Sequence, residues 1–236
     1  MSTPNPRKVI MLTAGRTGKT HLLSMLNKHP DLHFHDEPLT KLISGGSDAQ
    51  FDWLNRDFFA DAGEAECIGM ATKVRSLIDE DRFRSWILRN NAQVCYMGRR
   101  NIVKLVISEV RALQLNRTAK TYNARSKDEV LASTSIDPLE FHHYFTQRLG
   151  FEARLLNFID TLRPTVPILE FHYEDLLSRQ QQTMDLLFTY MALEPMDGLA
   201  SDVHKNTSNT LRDSVENLDE LILLYKGTRY EPLFEQ

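Results

Sequence analysis

The sequence predicts one α/β domain, and three observations lead there. Residues 8–12 form a short apolar run that passes through a glycine-containing turn into a helical pattern. Two later apolar runs, 93–97 and 167–171, are further buried-strand candidates, each with a helical segment behind it. The chain has 236 residues and a mass of 27.3 kDa, enough for one domain with a substantial core. No internal repeat, low-complexity tract or linker divides it, so residues 1–236 are expected to form that domain, with a polar, proline-containing tail at 1–7.

The run at 8–12 is bounded by a charged start and by Thr13-Ala14-Gly15, which reads as a central parallel strand covered on both faces. Thr17-Gly18-Lys19-Thr20 follows, and then Leu22, Leu23, Met25 and Leu26 fit one face of a helix. Free backbone N–H groups and the positive end of the helix dipole meet in such a turn, which makes it an anion site. Arg16 and Lys19 add two cations. An ordinary βα turn with solvated basic residues is the plainer reading, but the Gly-x-x-Gly-Lys-Thr spacing behind an apolar strand favours a bound phosphate-like group.

Residues 32–34 are expected to form a short strand that delivers Asp36 and Glu37 near this turn. Residues 40–66 read as a polar loop, with Gly45-Gly46-Ser47-Asp48, followed by an amphipathic segment. Its Phe51, Trp53, Leu54, Phe58 and Phe59 are expected in the core rather than on a substrate platform. Helices are expected at 82–90, 102–113, 137–162 (ending before Pro164) and 217–224. The polar, poorly periodic stretch 114–136 suits a mobile surface loop or lid.

The formal net charge is −4, from 28 basic and 32 acidic residues, so no global field recruits nucleic acid and any anion selectivity is local. Cys67 and Cys95 make neither a disulfide framework nor a metal cluster, and read as reduced thiols. The start MSTPNPRK lacks an apolar h-region, and no run of about 18 apolar residues suggests a transmembrane segment. The expectation is a soluble, cytoplasmic protein with no metal site.

The nucleoside-triphosphatase loop requires G-x-x-x-x-G-K-[ST]. Gly18-Lys19-Thr20 supplies its end, but Thr13 stands at the first glycine position. Read from Gly15, the segment Arg16-Thr17-Gly18-Lys19-Thr20-His21-Leu22-Leu23 is followed by Asn27-Lys28-His29-Pro30-Asp31 and Asp36-Glu37-Pro38. It resembles the 5′-phosphosulfate loop of bacterial and Golgi-type sulfotransferases, which typically read R-S-G-[TS]-T-L-L, a helix ending in H-P, then G-E. Lys19, where a small hydroxyl residue is usual, is a departure. A second landmark follows the strand at 93–97: Gly98-Arg99-Arg100-Asn101, then Ser108 in the helix 102–113. An arginine at a strand's end and a serine about two helical turns on could address one phosphate. The same spacing in the family binds the 3′-phosphate of 3′-phosphoadenylyl sulfate (PAPS). The third landmark is Pro167-Ile168-Leu169-Glu170-Phe171-His172-Tyr173-Glu174-Asp175-Leu176-Leu177, similar to the family's strand followed by Y-E-D-L. Lys226-Gly227-Thr228 is a candidate for the segment that closes the nucleotide site in family members.

The resemblance implies a mostly parallel central sheet flanked by helices, a P-loop-like nucleotide-binding fold with PAPS at the strands' carboxyl ends. It implies in-line transfer of a sulfuryl group to a hydroxyl acceptor, with a carbohydrate or small metabolite as the expected class and 3′,5′-ADP as the product. Arg16 would contact the 5′-phosphate and bridging oxygen, assisted by Lys19, while Thr17, Gly18 and Thr20 hold the phosphosulfate. Arg100 and Ser108 would take the 3′-phosphate, Tyr173 would lie beside the adenine, and Lys226, Gly227 and Thr228 would close the site. Glu37 is the expected general base, with Asp36 and His35 as rivals, and no metal is required. Two other readings stand beside this one. A P-loop kinase or ATPase would use Lys19-Thr20 with magnesium and want a strand ending in aspartate. A non-catalytic nucleotide-binding module would keep Arg100 and Ser108 but lose the base.

Overall fold

The computed structural model describes residues 6–60, 63–120, 133–203 and 210–235. The described residues of 1–98 and 151–201 form one compact unit, and those of 99–150 and 202–236 another.

The first unit is built on five parallel strands: β1 (Arg7–Thr13), β2 (Leu32–Asp36), β3 (Cys67–Thr72), β4 (Gln93–Gly98) and β5 (Ile168–His172). Their order is β2-β3-β1-β4-β5. The chain therefore leaves β1 toward one edge and later returns to its other side, which makes the end of β1 the switch point where open α/β sheets take their ligands.

Both faces of the sheet are covered, which is why β1 reads as one apolar run. Val9 and Met11 pack with α1 (Lys19–Leu26), α7 (Tyr173–Ser178) and α8 (Gln180–Tyr190), through Leu22, Met25, Leu176 and Phe188. Ile10 and Leu12 pack the other way, against α4 (Glu80–Arg89) and residues 155–162 of α6 (Pro138–Leu162). Helix α4 buries Phe83, Trp86 and Ile87 at helical spacing, and Asp79 caps it by accepting the Arg82 N–H at 2.8 Å.

In this unit two stretches differ from the sequence expectation. Across the expected loop and amphipathic segment, residues 38–57 are largely helical: α2 (Pro38–Lys41), a tight turn at Ile43–Gly45, α3 (Gly46–Asp52) and a wide turn at Trp53–Asp57. Gln50 explains the order there, although nothing around it in sequence marks it. It is 1% exposed, and its Nε2 donates to the carbonyls of Leu39 (2.9 Å) and Ser76 (2.7 Å) while its Oε1 accepts from the Ile78 N–H (3.1 Å). Phe51, Leu54 and Phe58 lie in the core, as expected.

Strand β3 is the second difference, because no strand was expected at 67–72. Cys67-Ile68-Gly69-Met70-Ala71-Thr72 is poor in β-branched residues, yet every one of the six is buried. Gly69 is there for space: a Cβ on it would lie 2.2 Å from Cε2 of Phe34 on β2.

In the second unit α5 (Ile102–Ala119) lies with residues 138–150 of α6, α9 (Leu218–Leu224) and a final turn at Glu231–Phe234. Val103, Val106 and Val110 pack with Phe141, Phe145 and Tyr225. Asn101 caps α5, accepting the Lys104 N–H at 2.9 Å and donating to the Leu233 carbonyl at 2.7 Å. Helix α5 runs further than expected, and residues 121–132 of the expected lid lie outside the described residues. Among the described residues no helix is long and apolar enough to cross a membrane. Both cysteines are buried free thiols, pushed up to about 12 by desolvation.

Candidate active site

The site is built first from the turn after β1. Thr13 Oγ1 accepts the Gly15 N–H at 3.1 Å and starts the reversal. Gly15 (φ 85°), Arg16 (φ 58°) and Gly18 (φ 81°) are all left-handed. A non-glycine residue in that region costs about 1–2 kcal/mol, and such strain gathers where function needs it. Gly18 precedes the first helical residue of α1, Lys19. A Cβ on Gly18 would lie 2.2 Å from Cδ2 and 2.4 Å from Cε2 of Tyr173, so the turn and the start of α7 are in contact through that glycine. Thr17 is 1% exposed, and its Oγ1 is buried with no hydrogen-bond partner among the described residues. Arg16 and Thr20 are half-buried beside it.

The neighbouring strands bring the counter-charges. Glu37 follows β2 and is itself left-handed (φ 49°), with its N–H bonded to the Ala71 carbonyl at 3.1 Å and Pro38 starting α2 behind it. Its Oε1 is 3.0 Å from Lys19 Nζ, and its Oε2 is 2.6 Å from Lys73 Nζ. Lys19 also pairs with Asp36. The Thr40 hydroxyl donates to Glu37 Oε2 at 3.4 Å and lies 3.0 Å from Ser76 Oγ. Burial would raise the Glu37 carboxyl, but the charges and hydrogen bonds of Lys19 and Lys73 outweigh it and hold the group below its ordinary value. At Lys19 burial wins: desolvation, with Lys73 and Arg16 nearby, lowers the ammonium despite Glu37.

The rivals of Glu37 are placed differently. Asp36 contacts Lys19 alone of the two lysines, and its side chain is half exposed. His35 packs edge-on to Trp53 at 5.2 Å, with Nε2 3.3 Å from the Phe58 carbonyl, in the aromatic layer of the core.

Neither a family model nor a curated protein sequence matches the chain. Solved structures do. The molecule is similar to a sulfotransferase from Alicyclobacillus acidocaldarius over 98% of its own length and 96% of the other, with a TM-score of 0.52 at 14% identity. It is similar to the mouse sulfotransferase SULT7A1 complexed with PAP over 81% of this chain and 61% of that one, with a TM-score of 0.52 at 11% identity. The sulfotransferase domain of the Synechococcus PCC 7002 olefin synthase matches over 82% and 76%, with a TM-score of 0.50 at 16% identity. This is the sulfotransferase fold.

Within that fold, the turn residues Arg16–Thr20, Glu37 and Tyr173 lie in the first unit, and the structure joins them through Lys19 and Gly18. The other predicted residues lie in the second unit. Arg100 is exposed just before α5, whereas its neighbour Arg99 is 8% exposed. Ser108 is 8% exposed on α5. Lys226, Gly227 and Thr228 form an exposed turn, where the Gly227 N–H donates to Glu231 Oε2 and Thr228 Oγ1 donates to the Tyr225 carbonyl, both at 2.7 Å.

Lys73 is the residue that sequence reasoning missed. It was hidden with its strand, since a lysine gains meaning here only from standing just past the carboxyl end of β3. The available signal was a six-residue stretch of small and apolar side chains, 67–72, ending in a single cation.

Proposed function

We propose that this chain is a sulfotransferase that moves a sulfuryl group from PAPS to an acceptor hydroxyl. The contact of Glu37 with both Lys19 and Lys73 at the switch-point turn carries this reading. It brings a carboxylate and two cations together beside the turn, which supports a reading in which the carboxylate takes the acceptor proton and the cations meet negative charge.

The turn suits the donor's phosphosulfate. Thr17 offers a buried hydroxyl with no hydrogen-bond partner among the described residues, Gly18 leaves room for the Tyr173 ring against the turn, and the start of α1 directs N–H groups outward. When bound, PAPS supplies an activated sulfuryl group, whose transfer resembles phosphoryl transfer in depending on positioning and charge stabilisation. Thr17, Gly18 and Thr20 hold the phosphosulfate. Arg16 and Lys19 meet the charge at the bridging oxygen, and Glu37 takes the proton from the acceptor hydroxyl. Tyr173, against Gly18, flanks the adenine. From the sequence resemblance alone, Arg100 and Ser108 are assigned the 3′-phosphate, and Lys226, Gly227 and Thr228 the segment that closes the nucleotide site. A carbohydrate or small-metabolite hydroxyl is the proposed acceptor class.

Thermal unfolding with 3′,5′-ADP in the absence of metal, set against magnesium-ATP, tests the donor site. A metal-independent rise with 3′,5′-ADP is expected, and stabilisation by magnesium-ATP alone would make the chain a P-loop kinase or ATPase instead. Transfer of radiolabelled sulfate from PAPS to a panel of hydroxyl acceptors then separates an enzyme from a binding module.

A further inference from the structure

The Glu37 carboxylate is held by ammonium groups from two different elements. Lys19 opens α1 and reaches Oε1; Lys73 follows β3 and reaches Oε2. All three side chains are largely buried, with exposures of 15% at Glu37, 9% at Lys19 and 19% at Lys73. Among the described residues, the polar groups bonded to this centre include the Thr40 hydroxyl on α2, backed by Ser76, and Asp36, which shares Lys19. Arg16 in the turn adds positive charge felt by Lys19.

Lys19 therefore belongs to two anion sites at once. It is the first residue of the helix whose N-terminus faces the turn, and it is an ion-pair partner of the carboxylate. Lys73 meets the same carboxylate from the opposite oxygen and makes the second half of its charge balance. In a part-desolvated site, an oligo-anion on the turn and the carboxylate compete for this positive charge.

We propose that Lys73 is a positioning residue for Glu37, and that Lys19 and Lys73 are shared between Glu37 and an anion bound at the turn, so that anion binding strengthens the proton affinity of Glu37. This rests on the reading of Glu37 as the general base and deepens it: the carboxylate becomes a better base when the sulfuryl donor is in place. The coupling is reciprocal. Protonating Glu37 releases both lysines, so the anion binds more tightly as pH falls through the Glu37 titration. A coupling of one pH unit corresponds to about tenfold in anion affinity between the two sides of that titration.

Calorimetric titration of the full chain tests this with inorganic sulfate, which does not itself titrate near neutral pH, and with 3′,5′-ADP. Both are run at about pH 5, just above the ordinary glutamate range, in two buffers of different ionisation heat. Proton uptake on sulfate binding is expected in the parent protein, lost in Glu37→Gln, reduced in Lys73→Met and restored in Lys73→Arg. Carbon-detected NMR of the glutamate carboxyls reads the same event without a variant, and the Glu37 midpoint should rise on adding sulfate. Equal proton uptake in the parent and Glu37→Gln, or an unmoved midpoint, overturns the coupling. Coupled sulfate binding without 3′,5′-ADP binding keeps the coupling and removes the nucleotide reading; 3′,5′-ADP binding without any coupling does the reverse. If neither anion binds, both fall.

Discussion

The ring of Tyr173 lies so close to Gly18 that a methyl group on the glycine would sit 2.2 Å from Cδ2. Gly18 is also left-handed, at φ 81°. One position thus carries two independent demands for glycine. Gly18→Ala should cost about 1–2 kcal/mol for the backbone and about 1–3 kcal/mol more for overpacking. Tyr173→Leu should relieve the second part and leave the first. Chemical denaturation of the two single variants and the double variant measures this, and strict additivity would show that the ring does not press on the turn.

Glu37 sets a pH dependence of stability. Its folded carboxyl lies below the ordinary 4.5, because burial is outweighed by Lys19 and Lys73. Such a group contributes stability that is fully present above its unfolded value and is lost as pH falls through the folded one. The melting-temperature gap between the parent and Glu37→Gln should therefore be full above about pH 4.5 and close below it. A gap that stays constant into acid would mean that the variant acts through packing rather than charge.

Catalysis offers a separate reading of the same residue. Glu37→Gln should lower kcat/KM for sulfuryl transfer by about 10²–10⁴ while 3′,5′-ADP still raises the melting temperature. Activity within a few-fold of the parent would pass the role of base to Asp36 or His35.

Arg100→Ala should abolish the thermal shift given by 3′,5′-ADP, and Ser108→Ala should reduce it, since a charged contact to phosphate is worth more than a neutral one. Adenosine 5′-phosphosulfate, which lacks the 3′-phosphate, is the control ligand and should be indifferent to both changes. An unaltered 3′,5′-ADP shift in Arg100→Ala would direct attention to the buried Arg99.

Gly69→Ala tests why β3 tolerates so weak a strand sequence. The new methyl would meet the Phe34 ring at 2.2 Å from Cε2. Denaturation should show a loss of about 1–3 kcal/mol, recovered in part by Phe34→Leu.

Much of the architecture was legible because it is local. Buried parallel strands show themselves as apolar runs, and β1, β4 and β5 fall within a residue or two of the expected spans. β3 was not legible, since the glycine at its centre answers to Phe34 across the sheet rather than to strand propensity. The helices over 38–57 were masked likewise, because Gln50 orders them through backbone groups distant in the chain.

The sequence by itself determined the strand, the glycine-bearing turn and the helix that follows, together with a carboxylate just past the next strand. Those features depend on spacing along the chain, and any tertiary arrangement would preserve them. The tertiary structure alone decided that Lys73 meets Glu37 and that Tyr173 covers Gly18. The order β2-β3-β1-β4-β5 sets the ends of β2 and β3 side by side for the first contact, and the second reaches across the end of β4 from the turn after β1 to the start of α7 after β5, both irrespective of distance in sequence.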